Sequence, residues 1–219
     1  MKDLQEIYIY GCGGVGNELA ECFINGPDYK LLGFIDDNPQ IRECMGFESR
    51  TLEEMLKMKR PEEIRVIISI GEPAIRKSLS DKIAEIGCKE VSIDFSRHFN
   101  QEYSSIGTGT LLHEDSYISV NAHVGKCCLI NKSVLVGHDC IVGDYSVLSP
   151  RVALGGNVTV GEGTYIGTGA IIRNGITIGE NAIIGMGAVV VKNVEDADVV
   201  AGNPAKFMRK NENRRVFKH

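Results

Sequence analysis

Residues 136–171 read VGHDCI VGDYSV LSPRVA LGGNVT VGEGTY IGTGAI, and each six-residue unit opens on an aliphatic residue. The same phase extends in both directions and gives fifteen consecutive units without a slip. Their first residues are Ile106, Leu112, Ile118, Val124, Ile130, Val136, Val142, Leu148, Leu154, Val160, Ile166, Ile172, Ile178, Ile184 and Val190. The second position is mostly Gly or Ser and the fifth is small or β-branched, so each position has a distinct steric role.

This six-residue period predicts a parallel β-helix, in which each unit forms one flat side of a triangular coil. Three units make a turn, so the repeat predicts about five coils with the aliphatic residues stacked along the axis. A β-sandwich is excluded because two-residue alternation never persists and glycine returns at a fixed phase. Asp196 breaks the phase, and we expect a capping segment after it, because an open coil end would leave unpaired strand edges.

The first hundred residues follow a different pattern, in which short apolar runs alternate with helical spacing. The spacing predicts strands at 6–10, 30–35, 65–70 and 91–95, and helices at 17–24, 51–59 and 74–86. Such alternation predicts a small open parallel sheet of the Rossmann type, which binds ligands at the carboxyl ends of its strands. We therefore expect a nucleotide-binding domain over 1–100 and a β-helix domain over 101–219.

A glycine-rich loop follows the first predicted strand. Gly11, Gly13 and Gly16 fit the spacing G-x-G-x-x-G, with Gly14 between them, and Asp36 and Asp37 follow the next strand. Glycines let backbone amides approach a diphosphate at a helix N-terminus, while a carboxylate can accept hydrogen bonds from the ribose or base. A domain this small holds one mononucleotide half, which favours a nucleoside-diphosphate sugar over NAD. The alternative is that the glycines serve only a tight turn and the acids only cap it.

Composition excludes several classes of function. The chain has 219 residues, a net charge of −5 and no run of Lys or Arg, so neither nucleic acid nor an anionic membrane is expected as a partner. It has no basic-then-apolar leader and no apolar run near twenty residues, and we expect a cytoplasmic protein. Seven cysteines without a Cys-x-x-Cys pair predict reduced thiols and no metal site.

One histidine lies in the middle of the regular coils. His138 occupies the third position of its unit, which points away from the helix axis and excludes a core role. Acyl transfer from a thioester needs a base that titrates near neutral pH, and imidazole meets that need. Asp139 can orient the ring only if the coil corner bends the chain, because consecutive strand residues face opposite ways. His113 and His123 remain alternatives, and the other two histidines are His98 and His219.

These segments together resemble the hexapeptide-repeat sugar acetyltransferases, a family that includes sialic-acid O-acetyltransferases and N-acetyltransferases of nucleotide-linked 4-amino sugars. The resemblance covers nearly the whole chain and rests on the glycine loop, Asp36-Asp37, Ser69-Ile70-Gly71, Val136–Gly143, Gly155–Val158 and Gly202–Lys206. In the family these correspond to the nucleotide-sugar side, the catalytic stretch, the acetyl-binding turn and the terminal CoA-binding signature. Two departures are Val15 and Val147, where the family commonly has histidine.

The resemblance implies a left-handed β-helix and a homotrimer, with acetyl-CoA between neighbouring β-helices and no metal. His138 would be the general base, Asp139 its orienting carboxylate, and the Gly156 amide would meet the thioester carbonyl. The residues expected along the CoA path are Gly156, Thr168, Gly169, Gly187, Ala188, Lys192 and Pro204. Those expected near the nucleotide sugar are Gly11, Gly13, Gly14, Gly16, Asp36, Asp37, Ser69, Gly71 and Asn131.

The expected reaction moves acetyl from acetyl-CoA to the amino group of a UDP-linked 4-amino-4,6-dideoxy sugar by direct transfer. Within the family, the alternative is O-acetylation of sialic acid or a related sugar hydroxyl. Outside it, the alternatives are an oxidoreductase that binds NAD at the glycine loop and a non-catalytic scaffold that does not bind CoA.

Overall fold

The computed structural model describes residues 4–26, 29–96 and 98–217, and His219 lies outside these ranges. The chain divides into two compact units. The first contains the chain up to Gly71 together with Ser78–Val91, and the second contains Glu72–Lys77 together with the chain from Ser92 onward. In the described residues, no helix is long and apolar enough to cross a membrane.

The first unit is a six-stranded sheet with helices between its strands, as predicted. Its elements, with the helix that continues from the second unit, are β1 (Gln5–Tyr10), α1 (Gly14–Asn25), β2 (Tyr29–Ile35), β3 (Glu43–Cys44), β4 (Phe47–Arg50), α2 (Leu52–Leu56), a 3₁₀ turn (Pro61–Glu63), β5 (Arg65–Ile68), α3 (Pro73–Ile86) and β6 (Lys89–Glu90). The strand order is β3-β4-β2-β1-β5-β6, and every pair is parallel except the β3–β4 hairpin. This is the Rossmann-like arrangement, with β1 at its centre.

Several details of this unit differ from the prediction. The β3–β4 hairpin was not predicted, because strands of two and four residues carry too few positions to show a period. Helix α2 begins with a capping box between Thr51 and Glu54, as its sequence allows, and it ends at Leu56 rather than at 59. The strand predicted at 91–95 is shorter, Ile93–Asp94, because the chain changes partners there: Val91 N–H donates to Val66, whereas Ile93 N–H donates to Thr110.

Most of the second unit, from β8 to β22, is built of two-residue strands whose second residue is the inward aliphatic one. Its strands are β7 (Ile93–Asp94), β8 (Ser105–Ile106), β9 (Leu111–Leu112), β10 (Tyr117–Ile118), β11 (His123–Val124), β12 (Leu129–Ile130), β13 (Leu135–Val136), β14 (Ile141–Val142), β15 (Val147–Leu148), β16 (Ala153–Leu154), β17 (Thr159–Val160), β18 (Tyr165–Ile166), β19 (Ile171–Ile172), β20 (Thr177–Ile178), β21 (Ile183–Ile184), β22 (Val189–Val190), β23 (Asp198–Ala201) and β24 (Lys206–Lys210). Because β7 already pairs with β9, the second unit begins before residue 101, where the sequence placed the boundary.

The strands β8–β22 form three parallel sheets that wrap around one axis. Two sheets have the orders β10-β13-β16-β19-β22 and β8-β11-β14-β17-β20, and the third runs β7-β9-β12-β15-β18-β21-β23-β24. Paired residues are one coil apart, as in Tyr117 with Leu135. The unit is the left-handed β-helix of five coils that the repeat and the resemblance predicted.

The coil corners explain the remaining sequence positions. One residue adopts the left-handed backbone conformation at each corner, and at most corners it is not glycine, for example Asn121 (φ 58°), Asp139 (φ 57°) and Asn157 (φ 60°). Glycine precedes many corners because the next coil approaches closely: a Cβ on Gly143 would lie 2.6 Å from the Glu162 nitrogen. The aliphatic residues fill the interior as one continuous core.

The end of the β-helix is closed by an antiparallel pair, β23 with β24, which fits the expected cap. Beyond it, the buried Glu72 carboxylate accepts the backbone N–H groups of Val216 and Phe217 at 3.0–3.1 Å. Arg76, which is fully buried, donates to the carbonyls of Cys127 and Cys128. These contacts explain why the first turn of α3 belongs to the second unit.

Candidate active site

His138 and Asp139 lie together on the coil corner between β13 and β14. Asp139 is in the left-handed conformation, which bends the chain so that both side chains face outward. The bend brings His138 Nδ1 to 2.7 Å from Asp139 Oδ2. The two side chains are 53% and 44% exposed, so the pair is open to solvent and to a ligand.

The Asp139 carboxylate determines which nitrogen of the His138 imidazole carries the proton. The hydrogen bond from His138, and then one from Asn121 at 3.1 Å, hold the pKa of Asp139 below its usual value. An ionised carboxylate can only accept hydrogen bonds, so the His138 proton lies on Nδ1. In the neutral ring, Nε2 therefore keeps a free lone pair, as a general base requires.

Gly156 lies against the free edge of this imidazole, in the next coil. A Cβ built on Gly156 would be 2.4 Å from both Cε1 and Nε2 of His138, so any larger residue would displace the ring from this position. Within the part of the chain that the structure describes, no backbone acceptor pairs with the Gly156 N–H. A base and an unused amide donor are thus side by side, which is the arrangement that acyl transfer uses.

The residues expected along the CoA path lie mostly on another corner. Thr168 and Gly169 lie between β18 and β19, and the Gly187 N–H in the next coil donates to the Thr168 carbonyl at 2.8 Å. A Cβ on Gly169 or Gly187 would meet no described heavy atom within 4 Å, so this surface is open. Asn131 lies on the same corner two coils earlier and is buried, and its Oδ1 accepts the Lys132 N–H.

The other three residues expected near CoA lie in three different environments. The Ala188 side chain is fully buried in the core, because it occupies the small inward position of its unit, so it does not line the surface. Lys192 is exposed just after β22, on the corner that also carries His138. Pro204 is exposed in a segment that runs beside β22, where Val189 bonds to both Gly202 and Ala205.

The glycine loop in the first unit joins β1 to α1. Gly16 is required by packing, since a Cβ there would lie 2.1 Å from the Gly11 carbonyl oxygen. Gly13 and Gly14 face open space among the described residues, at the start of α1. The exposed amides of a helix N-terminus attract anions, which suits a diphosphate.

Two of the expected nucleotide residues instead hold this loop in place. Asp36 accepts the Cys12 N–H at 2.9 Å and the Asn38 N–H at 3.0 Å, one with each carboxylate oxygen. The Ser69 hydroxyl is buried 3.0 Å from the carbonyls of Tyr10 and Gly11. The Ser69 side chain therefore braces the loop rather than facing a ligand, while the nearby Gly71 has open space around it.

Asp37 is part of a polar group that the sequence did not reveal. The Tyr10 hydroxyl donates to Asp37 at 2.7 Å, and the Lys82 ammonium lies 3.3 Å from the same oxygen. Burial, and next the Asp37 carboxylate, raise the pKa of Tyr10, so it stays a donor. Asp37 and Lys82 line a cleft of about 650 Å³ with Leu52 and Ile86 on its walls, large enough for a nucleoside.

Comparison with known proteins adds two family matches. Residues 6–83 match the PglD N-terminal domain, and residues 157–192 match the bacterial transferase hexapeptide of six repeats. A GDP-perosamine N-acetyltransferase of Escherichia coli O157:H7 is 33% identical over 140 residues, which cover 60% of this chain. The match spans 61% of that relative's length.

Solved structures match over almost the entire chain. PerB from Caulobacter crescentus, crystallised with CoA and GDP-perosamine, is 28% identical with a TM-score of 0.84, and the match covers 93% of this chain and 97% of PerB. The acetyltransferase domain of PglB from Neisseria gonorrhoeae, in complex with acetyl coenzyme A, is 28% identical with a TM-score of 0.85, covering 94% and 100%. In its sequence and in its fold, the chain is similar to the hexapeptide-repeat sugar acetyltransferases. The family resemblance drawn from the sequence motifs is thereby confirmed.

Proposed function

We propose that this protein is an acetyltransferase that moves the acetyl group of acetyl-CoA to the amino group of a GDP-linked amino sugar of the perosamine type, with His138 as general base. The observation that carries the proposal is the His138 corner, where an oriented imidazole with a free Nε2 lies against the Gly156 backbone. The names of the relatives support the donor, the acceptor and transfer to nitrogen rather than oxygen.

The proposed nucleotide differs from the one expected in the sequence analysis. The family resemblance led us to expect UDP, but the nucleotide sugar in the names of the relatives is GDP-perosamine, and we replace UDP with GDP. The first unit offers an acceptor for a base in Asp37, beside a cleft of suitable size. A carboxylate oxygen can accept hydrogen bonds from the amide and amino N–H groups of guanine.

The corner geometry suits a reaction in two balanced steps, addition to the thioester carbonyl and then loss of the thiolate. The sugar nitrogen attacks the thioester carbonyl carbon while His138 Nε2 accepts its proton, and the C–N bond forms as the carbonyl oxygen becomes negative. The Gly156 N–H stabilises this oxyanion. The C–S bond then breaks, and His138 returns the proton to the CoA thiolate. Asp139 stabilises the imidazolium in between, as the carboxylate of a Ser-His-Asp triad does.

A homotrimer with sites between subunits is part of the proposal. The outward side chains of the β10–β22 sheet form an apolar column in which Tyr117, Leu135 and Ile171 are 40%, 44% and 51% exposed. This column runs between the corner that carries His138 and the corner that carries Thr168 and Gly187. A second copy packed there would cover the column and bring its own corner to the His138 site. A cytoplasmic location, where nucleotide sugars and acetyl-CoA occur, completes the proposal.

The test is a thiol-release assay with acetyl-CoA and a panel of GDP-, UDP-, dTDP- and CMP-linked sugars. We expect turnover with a GDP-linked amino sugar, and a loss of roughly 10²–10⁴-fold in His138→Ala, the usual contribution of a general base. His123→Ala is the matched control, since His123 is also exposed on the β-helix, and it should keep wild-type turnover. More than a tenth of wild-type activity in His138→Ala would end the base assignment, and turnover only with sugar hydroxyls would favour O-acetylation.

A further inference from the structure

Asn121 lies on the same coil corner as Asp139, one coil earlier. Both residues are in the left-handed conformation, with φ 58° and 57°, and the two corners stack, since the Asp139 N–H donates to the Val120 carbonyl. The stacking brings the Asn121 carboxamide into contact with the catalytic pair: its Nδ2 donates to Asp139 Oδ1 at 3.1 Å. Asparagine is one of the few side chains that tolerates this backbone conformation and also carries a donor.

The contact extends a line of groups through three successive coils. Asn121 holds one oxygen of Asp139, the other oxygen holds His138 Nδ1 at 2.7 Å, and the opposite edge of the imidazole faces Gly156. Asn121 therefore orients Asp139, and Asp139 orients the imidazole so that its Nε2 edge faces the proposed reaction site.

The line matters because little else restrains the pair. His138 and Asp139 are about half exposed, so packing against neighbours does not fix their rotamers. A carboxylate held at one oxygen only can rotate about its terminal torsion, which is broad. Held at both oxygens, Asp139 presents a single orientation to Nδ1, and the cost of ordering the imidazole during each reaction falls.

We propose that Asn121 is a positioning residue for acetyl transfer, which acts by fixing the Asp139 carboxylate and thereby the direction of His138 Nε2. The inference rests on the proposed function of the His138 corner and adds to it a residue that acts through Asp139.

Two substitutions separate positioning from folding. Asn121→Gly removes the carboxamide but suits the left-handed backbone, so the coil should fold normally. Asn121→Asp keeps the shape and exchanges the donor for a second carboxylate beside Asp139. Asn181→Gly is the matched control, because Asn181 is also left-handed (φ 53°) but lies on a different corner of the coil.

For Asn121→Gly we expect kcat to fall about tenfold, a part of what an oriented base contributes, with KM for acetyl-CoA unchanged. For Asn121→Asp we expect the acid limb of the kcat/KM profile to move to higher pH by roughly one unit, because added negative charge stabilises the imidazolium. Asn181→Gly should change neither quantity. A merely structural role of Asn121 would lower the melting temperature and leave the acid limb in place.

The outcomes also distinguish this inference from the proposed function. If His138→Ala is inactive while both Asn121 variants match Asn181→Gly in kcat and in pH profile, the positioning role is wrong and the base assignment stands. If His138→Ala retains activity, the proposed function fails first.

Discussion

The glycine loop of the Rossmann-like sheet and the His138 corner of the β-helix both hold candidate residues, but the two regions use them differently. In the loop, Asp36 and Ser69 bond to backbone groups, and Gly16 is needed for close packing. On the corner, Asp139 and His138 bond to each other and face outward. The fold alone thus explains Asp36, Ser69 and Gly16, whereas the corner pair makes no contact that the fold needs and points to chemistry.

A methyl group at Gly156 would test the corner most severely. Gly156→Ala places a Cβ 2.4 Å from the His138 ring, which must rotate away from its working position. We expect thiol release to fall by about 10²–10³-fold, comparable to losing the base or the amide donor. The far-UV circular dichroism spectrum should be unchanged, because the ring can move into solvent. Near-normal turnover would show that the imidazole does not need this position.

A methyl group at Gly16 tests the loop in the same way, with stability as the readout. Gly16→Ala brings a Cβ to 2.1 Å from the Gly11 carbonyl oxygen, which belongs to the backbone and cannot move aside easily. We expect a loss of about 1–3 kcal/mol in the free energy of unfolding, the usual cost of overpacking. Differential scanning calorimetry measures it.

Gly14→Ala is the control for that substitution. Gly14 is the first residue of α1 and faces open space among the described residues, so alanine should stabilise the helix by up to about 1 kcal/mol. A loss of stability in Gly16→Ala together with a gain in Gly14→Ala would show that packing requires glycine at position 16. Equal melting temperatures of the two variants would mean that the loop backbone moves to accommodate the methyl group. The contrast between the loop and the corner would then be weaker than the contacts suggest.

The sequence predicted the β-helix in detail because every position of the repeat has a steric role that recurs through fifteen units. His138 could be found for the same reason, since its phase makes it outward. The contact of Asn121 with Asp139 was not predicted, although the two residues are one coil apart, because an exposed asparagine at a corner is typical of an ordinary turn residue. The group of Tyr10, Asp37 and Lys82 could not be found, since only tertiary packing brings together residues so far apart in sequence.

The smallest expected effect concerns the pH dependence of stability at the corner. Hydrogen bonds from His138 and then Asn121 lower the pKa of Asp139 in the folded protein, so their stabilisation is present above the unfolded value of about 3.9 and is lost as pH falls below it. We expect wild type to melt slightly above Asp139→Asn at pH 7, and the difference to shrink below about pH 4. In a His138→Ala background the same comparison should give a smaller change with pH, because the larger of the two causes is gone. A difference in melting temperature that stays constant from pH 7 to 3 would mean that the Asp139 charge does not stabilise the corner, and that the exposed pair is held by its shape alone.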